Sequence, residues 1–159
     1  MLQRVQSLFL LAVVLCMLFS LLFPVWNKIN PENEVLIEIY GLYSKQTQPG
    51  GEIRQEIFPF ALIGGFVIVA AIIAFVEIFQ FKNRLNQIKM GALNSLIMSS
   101  VLGLSLYLSF QEEKIFVPQI QGQYGLGLFL PCIALIFNVL ANRFIRRDEK
   151  LVRSVDRIR

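Results

Sequence analysis

The chain has 159 residues, of which 55% are hydrophobic and 16% are charged, and it carries a net charge of +4 and no histidine. A soluble domain averages about 25% charged residues because its surface must be wetted. This composition, with a mean hydropathy of +0.61, therefore argues against a soluble globular protein. Without histidine the chain lacks the commonest metal ligand and the usual proton carrier near neutral pH, so we expect no metal centre.

Four uncharged apolar stretches organise the sequence. They cover residues 7–24, 58–76, 90–110 and 115–142. Each reaches the length of about 18 residues that a helix needs to cross a hydrocarbon core about 30 Å thick. The pattern predicts a single domain over residues 1–159, an all-α membrane protein built as an antiparallel bundle of four transmembrane helices. The expected spans are residues 7–26, 58–81, 89–110 and 122–144, with outer loops at 27–57 and 111–121 and a basic tail at 145–159.

The first expected span is interpreted as an uncleaved anchor. Its apolar run is longer than the hydrophobic region of a typical signal peptide, and no small-residue cleavage site precedes Trp26.

The first outer loop is expected to contain a small β-hairpin. Val35, Ile37 and Ile39 alternate partly with glutamates, which is typical of a strand with one buried face. The turn signal at residues 48–51 separates this strand from a second one at 52–57. Residues 114–117 could add a third strand, because a two-stranded hairpin alone is marginal in water.

The third expected span carries small residues at every fourth position. They are Gly91, Ser95, Ser99 and Gly103. Small residues at this spacing let helix backbones approach closely, and serine hydroxyls can bond across the interface. Asn138, on the fourth span, is expected to donate to a neighbouring helix. We interpret these five residues as packing residues within the bundle, with a homo-oligomer interface as the alternative.

The tail is basic and has helical periodicity. The residues expected to contact lipid or a partner are Arg146, Arg147, Lys150, Arg153 and Arg157. The tail is expected to continue the fourth helix or to form an amphipathic helix on the inner leaflet.

The distribution of lysine and arginine predicts the orientation. With the N-terminus inside, the inner segments hold eleven basic residues and the outer segments hold four. By the positive-inside rule, both termini are cytoplasmic. The positive charge then acts as a topological signal, and we expect no nucleic-acid partner.

Few residues could carry chemistry. The sequence has no glycine-rich phosphate loop, Cys-x-x-Cys pair or serine nucleophile motif, so we expect no catalytic, cofactor-binding or metal-binding residues. Glu77 is expected near the inner interface, within reach of Lys82 or Arg84. Cys16 and Cys132 are interpreted as packing thiols.

Both ends of the chain resemble a known family. The segments MLQRVQSLFLLA at residues 1–12 and ANRFIRRDEKLVRSVDR at residues 141–157 are similar to an uncharacterised family of small four-span membrane proteins of Bacteroidetes-type bacteria, domain of unknown function 4293. The resemblance implies a location in the bacterial inner membrane. It implies no activity and no functional residues.

The sequence is compatible with three functions. The leading hypothesis is a non-enzymatic accessory or scaffold subunit of a membrane complex, which uses the outer hairpin and the basic tail as contact surfaces. The alternative is a small oligomeric channel or transporter, with Asn94, Asn138 and the serines along its path. A membrane enzyme that acts on lipid or through thiol chemistry, using Cys16, Cys132 or the interfacial acids, ranks third.

Overall fold

The computed structural model describes residues 2–30, 35–48, 50–80, 83–115 and 120–156. The described part contains four helices and five strands. The helices are α1 (Leu2–Ser20), α2 (Ala61–Phe79), α3 (Arg84–Ile115) and α4 (Leu126–Asp156). The strands are β1 (Trp26–Asn30), β2 (Val35–Ile39), β3 (Ser44–Thr47), β4 (Ile53–Glu56) and β5 (Gln123–Tyr124).

The predicted all-α bundle of four spans is wrong. Within the described residues, three helices are long and apolar enough to cross a membrane: Ala61–Phe79, Arg84–Lys114 and Leu126–Val152. The apolar part of α1, Val5–Ser20, is shorter than these. The strands form one five-stranded antiparallel sheet in the order β4-β3-β2-β1-β5, so the fold is mixed α/β.

The first helix ends earlier than expected because its last turn is closed locally. The Ser20 hydroxyl donates to the Met17 carbonyl at 2.6 Å, and the Leu21 and Leu22 amides donate to carbonyls three residues back. Pro24 then has no N–H with which to continue a helix. The chain instead enters β1 at Trp26, the last residue of the expected first span.

The sheet is larger than the expected hairpin. The strands predicted at 34–40 and 52–57 correspond to β2 and β4, but β3 lies between them. The prediction of a third strand at residues 114–117 is wrong at Lys114 and Ile115, because both belong to α3. Residues 116 and 117 lie outside the described part. The chain contributes β5 instead, which pairs with β1.

The sheet lies against one end of the helices, which we call the sheet end. At the start of α4, the Gly125 and Gly127 amides donate to the Val25 and Pro24 carbonyls, both at 3.0 Å. Near the end of α3, a Glu113 carboxylate oxygen accepts from the Gly122 amide at 3.3 Å. Trp26 is fully buried, and its indole packs on Gly122, where a side chain would clash.

The four helices pack side by side and antiparallel. Helices α1 and α3 each pack against both α2 and α4. At the end opposite the sheet, which we call the far end, the Phe9 ring of α1 stacks on Phe144 of α4 with centroids 5.6 Å apart. The far end therefore contains the start of α1, the α2–α3 connection and the end of α4.

Candidate functional site

The far half of the helix core contains polar side chains that are buried. They are Gln6, Glu77, Gln87, Asn94, Asn138 and Asn142. Near the sheet end, the largest buried side chains are apolar, among them Met17, Trp26 and Ile63, although smaller polar residues such as Ser105 and Ser109 are also buried there. Polar groups inside membrane-spanning segments are costly and often mark function, so this buried polar set is one candidate site.

Asn138 joins α4 to α3 through two hydrogen bonds. Its side-chain amide donates to the Gly91 carbonyl at 2.8 Å and to the Ser95 hydroxyl oxygen at 2.8 Å. Gly91 also packs directly on the Asn142 side-chain amide, and an added Cβ at Gly91 would overlap that amide. The lack of a side chain at Gly91 therefore sets how closely α3 and α4 approach.

The four small residues of α3 do not share one environment. Gly91 and Ser95 contact Asn138. Ser99 is exposed and donates to the Ser95 carbonyl of its own helix at 2.8 Å, and an added Cβ at Gly103 would meet no atom within 4 Å. The reason is helix geometry, because each step of four residues overshoots one turn by about 40° and three steps rotate the position by about 120°.

Glu77 is buried rather than placed at a surface. Its side chain is 0% exposed, and neither carboxylate oxygen has a hydrogen-bond partner in the described residues. Its backbone carbonyl accepts from the Gln87 side chain at 3.2 Å. Arg84, a partner expected for Glu77, instead pairs with Asp148 of α4 at 3.1 Å, and Lys82 lies outside the described residues.

Asn94 is also fully buried, and both polar atoms of its amide are without a partner in the described part of the chain. It lies on α3 one turn after Gly91, on the face that meets Asn138. From its sequence position, Asn94 was expected only as a residue of a transport path. Its burial beside other polar residues could not be recognised without knowing which helices are neighbours.

A second candidate site is a groove between α3 and α4 at the far end. Its volume is about 810 Å³. The lining residues are Ala92, Ser95, Val139, Asn142, Arg143, Arg146, Arg147 and Lys150. Three residues of the basic set predicted from the tail therefore line one surface together with Arg143. The side chain of Arg153 and the whole of Arg157 lie outside the described part.

Cys16 and Cys132 are both free and half-buried. In the part of the chain that the structure describes, no group of three or more Cys, Asp or Glu side chains is placed to hold a metal ion.

Three apolar helices of spanning length identify the molecule as a membrane protein, in which a sheet covers one end of the helices. The chain belongs to the family described as a domain of unknown function (DUF4293), whose sequence profile matches residues 2–158. This match confirms the resemblance to that family. No curated protein matches the chain.

Proposed function

We propose that the protein is a non-enzymatic accessory subunit of a bacterial inner-membrane complex, and that it holds a partner at the open edge of its sheet. The observation that carries this proposal is strand β4. It is an edge strand, and all four of its residues are exposed. An edge strand presents unpaired backbone groups that can pair with another chain.

The hydrogen-bond pattern identifies which backbone groups face the open side. The Gln48 amide donates to the Glu52 carbonyl at 3.0 Å, which makes these two residues a hydrogen-bonded pair. Such pairs alternate with non-hydrogen-bonded pairs along an antiparallel ladder. Lys45 and Gln55 form the third pair along the ladder from Gln48 and Glu52, so this pair is not hydrogen-bonded. The backbone N–H of Gln55 points away from β3, toward the open edge.

Exposed apolar residues flank this edge. Ile53, at the start of β4, is 55% exposed, and Ile57 and Phe58, just after it, are 67% and 72% exposed. An added strand takes its affinity from backbone hydrogen bonds and its specificity from side-chain contacts. The partner that fits this edge is an extended apolar segment of another membrane protein.

The orientation completes the proposal. Most basic residues of the described part of the chain belong to the far end, and by the positive-inside rule this supports a cytoplasmic location for that end. Both termini are then cytoplasmic, and the sheet and its open edge face the other side of the membrane. The partner segment accordingly belongs to an extracytoplasmic region.

The test is a pull-down of the full-length protein from gently solubilised native membranes. The Gln55→Pro variant removes the outward N–H and leaves the β3–β4 hydrogen bonds intact, since proline is tolerated on an edge strand. The matched control is Gln55→Ala, which keeps that N–H. We expect a stoichiometric partner with wild type and Gln55→Ala, and its loss with Gln55→Pro.

A partner retained by Gln55→Pro, or a protein recovered without any partner, would contradict the proposal. A deletion of residues 148–159 tests the basic tail in parallel, and we expect this variant to keep the partner. If only this deletion abolished partner binding, the partner would bind the tail and not strand β4.

The buried polar set favours one second candidate, the small oligomeric channel or transporter. Buried polar residues line transport paths in many membrane proteins. In that case, Asn138→Leu abolishes ion flux in reconstituted vesicles although the protein remains folded. Under the accessory proposal, wild type gives no flux above that of empty vesicles.

A further inference from the structure

The groove between α3 and α4 changes character along its length. Toward the middle of the helices the groove is lined by Ala92, Ser95 and Val139, and toward the far end its lining is basic. The groove residues of α4 lie on one face of that helix, because their positions are separated alternately by three residues and by one. They are residues 139, 142, 143, 146, 147 and 150. From Val139 to Lys150 this stripe extends about 16 Å at 1.5 Å per residue.

No acidic residue is among the described side chains that line the groove. The groove cations are Arg143, Arg146, Arg147 and Lys150, and all four are exposed. Neither the Lys45–Glu38 ion pair nor the Arg84–Asp148 ion pair of the described residues involves any of these four cations. Two pairs of like charges, four residues apart on one helix, repel each other, and a bound anion would relieve this repulsion.

We propose that this groove is a binding site for one anionic phospholipid, whose phosphate contacts the arginines while an acyl chain lies along Ala92 and Val139. Guanidinium groups bind phosphate oxygens in bidentate pairs, and basic pockets between membrane helices at the cytoplasmic side recognise anionic headgroups. The site is separate from strand β4, so it does not rest on the proposed partner.

The apolar wall distinguishes a lipid from a water-soluble anion. Next to the groove, Leu96 of α3 is 65% exposed and Ile136 of α4 is 58% exposed. Both belong to helices of spanning length, where such side chains face acyl chains. A free phosphate ion would neutralise the arginines but leave Ala92 and Val139 uncovered, whereas a phospholipid covers both parts.

The experiment is native mass spectrometry of the full-length protein in a neutral detergent. Phosphatidylglycerol and phosphatidylcholine with identical acyl chains are titrated separately. We expect one phosphatidylglycerol to bind at least tenfold more tightly than phosphatidylcholine, because the basic residues attract net negative charge. Equal affinity for the two lipids would overturn the proposal.

Variants locate the site. Arg143→Gln combined with Arg147→Gln should weaken phosphatidylglycerol binding about tenfold or more. The control Lys89→Gln removes an exposed charge of the far end that is outside the groove, and we expect less than a twofold effect. An equal loss in Lys89→Gln would show general attraction to the basic end and would contradict a defined site.

The acyl-chain contact has its own test. Ala92→Phe fills the apolar part of the groove without changing any charge, and we expect it to weaken lipid binding severalfold. Excess inorganic phosphate should not displace the lipid from wild type. Displacement by phosphate, or an unchanged affinity in Ala92→Phe, would identify an anion site without a lipid tail and overturn the proposal.

Discussion

At the scale of single residues, Gly91 and Gly103 look alike in the sequence but differ in their surroundings. Gly91 packs on the Asn142 amide, and an added Cβ at Gly103 would meet no atom within 4 Å. We expect Gly91→Ala to lower the free energy of unfolding by about 1 kcal/mol or more through overpacking. Gly103→Ala should be neutral or stabilising by up to about 1 kcal/mol, because alanine is the better helix former.

The measurement for this pair is the thermal midpoint in detergent, where 1 kcal/mol corresponds to about 2–4 °C for a chain of this size. Equal midpoints for the two variants would contradict the close approach of α3 and α4 at Gly91.

Glu77 allows a second prediction at this scale. A carboxylate that is buried without a hydrogen-bond donor costs more than an amide of the same shape. We therefore expect Glu77→Gln to raise the thermal midpoint by about 2 °C or more, while Glu56→Gln on exposed β4 leaves it unchanged. A lower midpoint for Glu77→Gln would mean that the carboxylate gains a favourable partner within the core.

At the scale of elements, the contact between α2 and the loop that joins β2 to β3 depends on a glycine. A Cβ at Gly64 would lie 2.7 Å from the Gly41 carbonyl oxygen, whereas one at Gly65 would meet nothing within 4 Å. Gly64→Ala should cost about 1–3 kcal/mol, because a backbone atom has to move. Gly65→Ala on the same helix is the matched control and should not lower the midpoint in a thermal scan. An equal drop in thermal midpoint for both variants would mean that the lost stability comes from the helix itself and not from its contact with the loop between β2 and β3.

The strands show how much of the fold the sequence could predict. The alternation of Val35, Ile37 and Ile39 was sufficient to identify β2. Strand β1 was missed because Trp26 followed an apolar run, and because the buried positions of this strand include Lys28 and Asn30, which a hydrophobic pattern does not mark as buried. Lys28 lies inside because its ammonium donates to the Glu113 carbonyl at 3.4 Å, a contact 85 residues away in sequence.

At the scale of the whole molecule, the three helices of spanning length were predictable because a hydrocarbon core requires long uninterrupted apolar runs. The two candidate sites were only partly predictable. The basic residues of the tail were visible in the sequence, but the groove also needs Ala92 and Ser95 from α3. The burial of Glu77 and Asn94 depends on which helices are neighbours, and periodicity along one helix does not determine that.

The division of the molecule into two ends is the central claim, since the proposed partner edge and the proposed lipid groove lie at opposite ends. It is tested with single cysteines, Gln55→Cys on β4 and Lys150→Cys on α4, in a background where Cys16 and Cys132 are alanine. Intact spheroplasts are treated with a membrane-impermeant maleimide. We expect labelling at position 55 in intact spheroplasts and at position 150 only after lysis. Labelling of position 150 in intact spheroplasts, or of both positions on the same side, would contradict it.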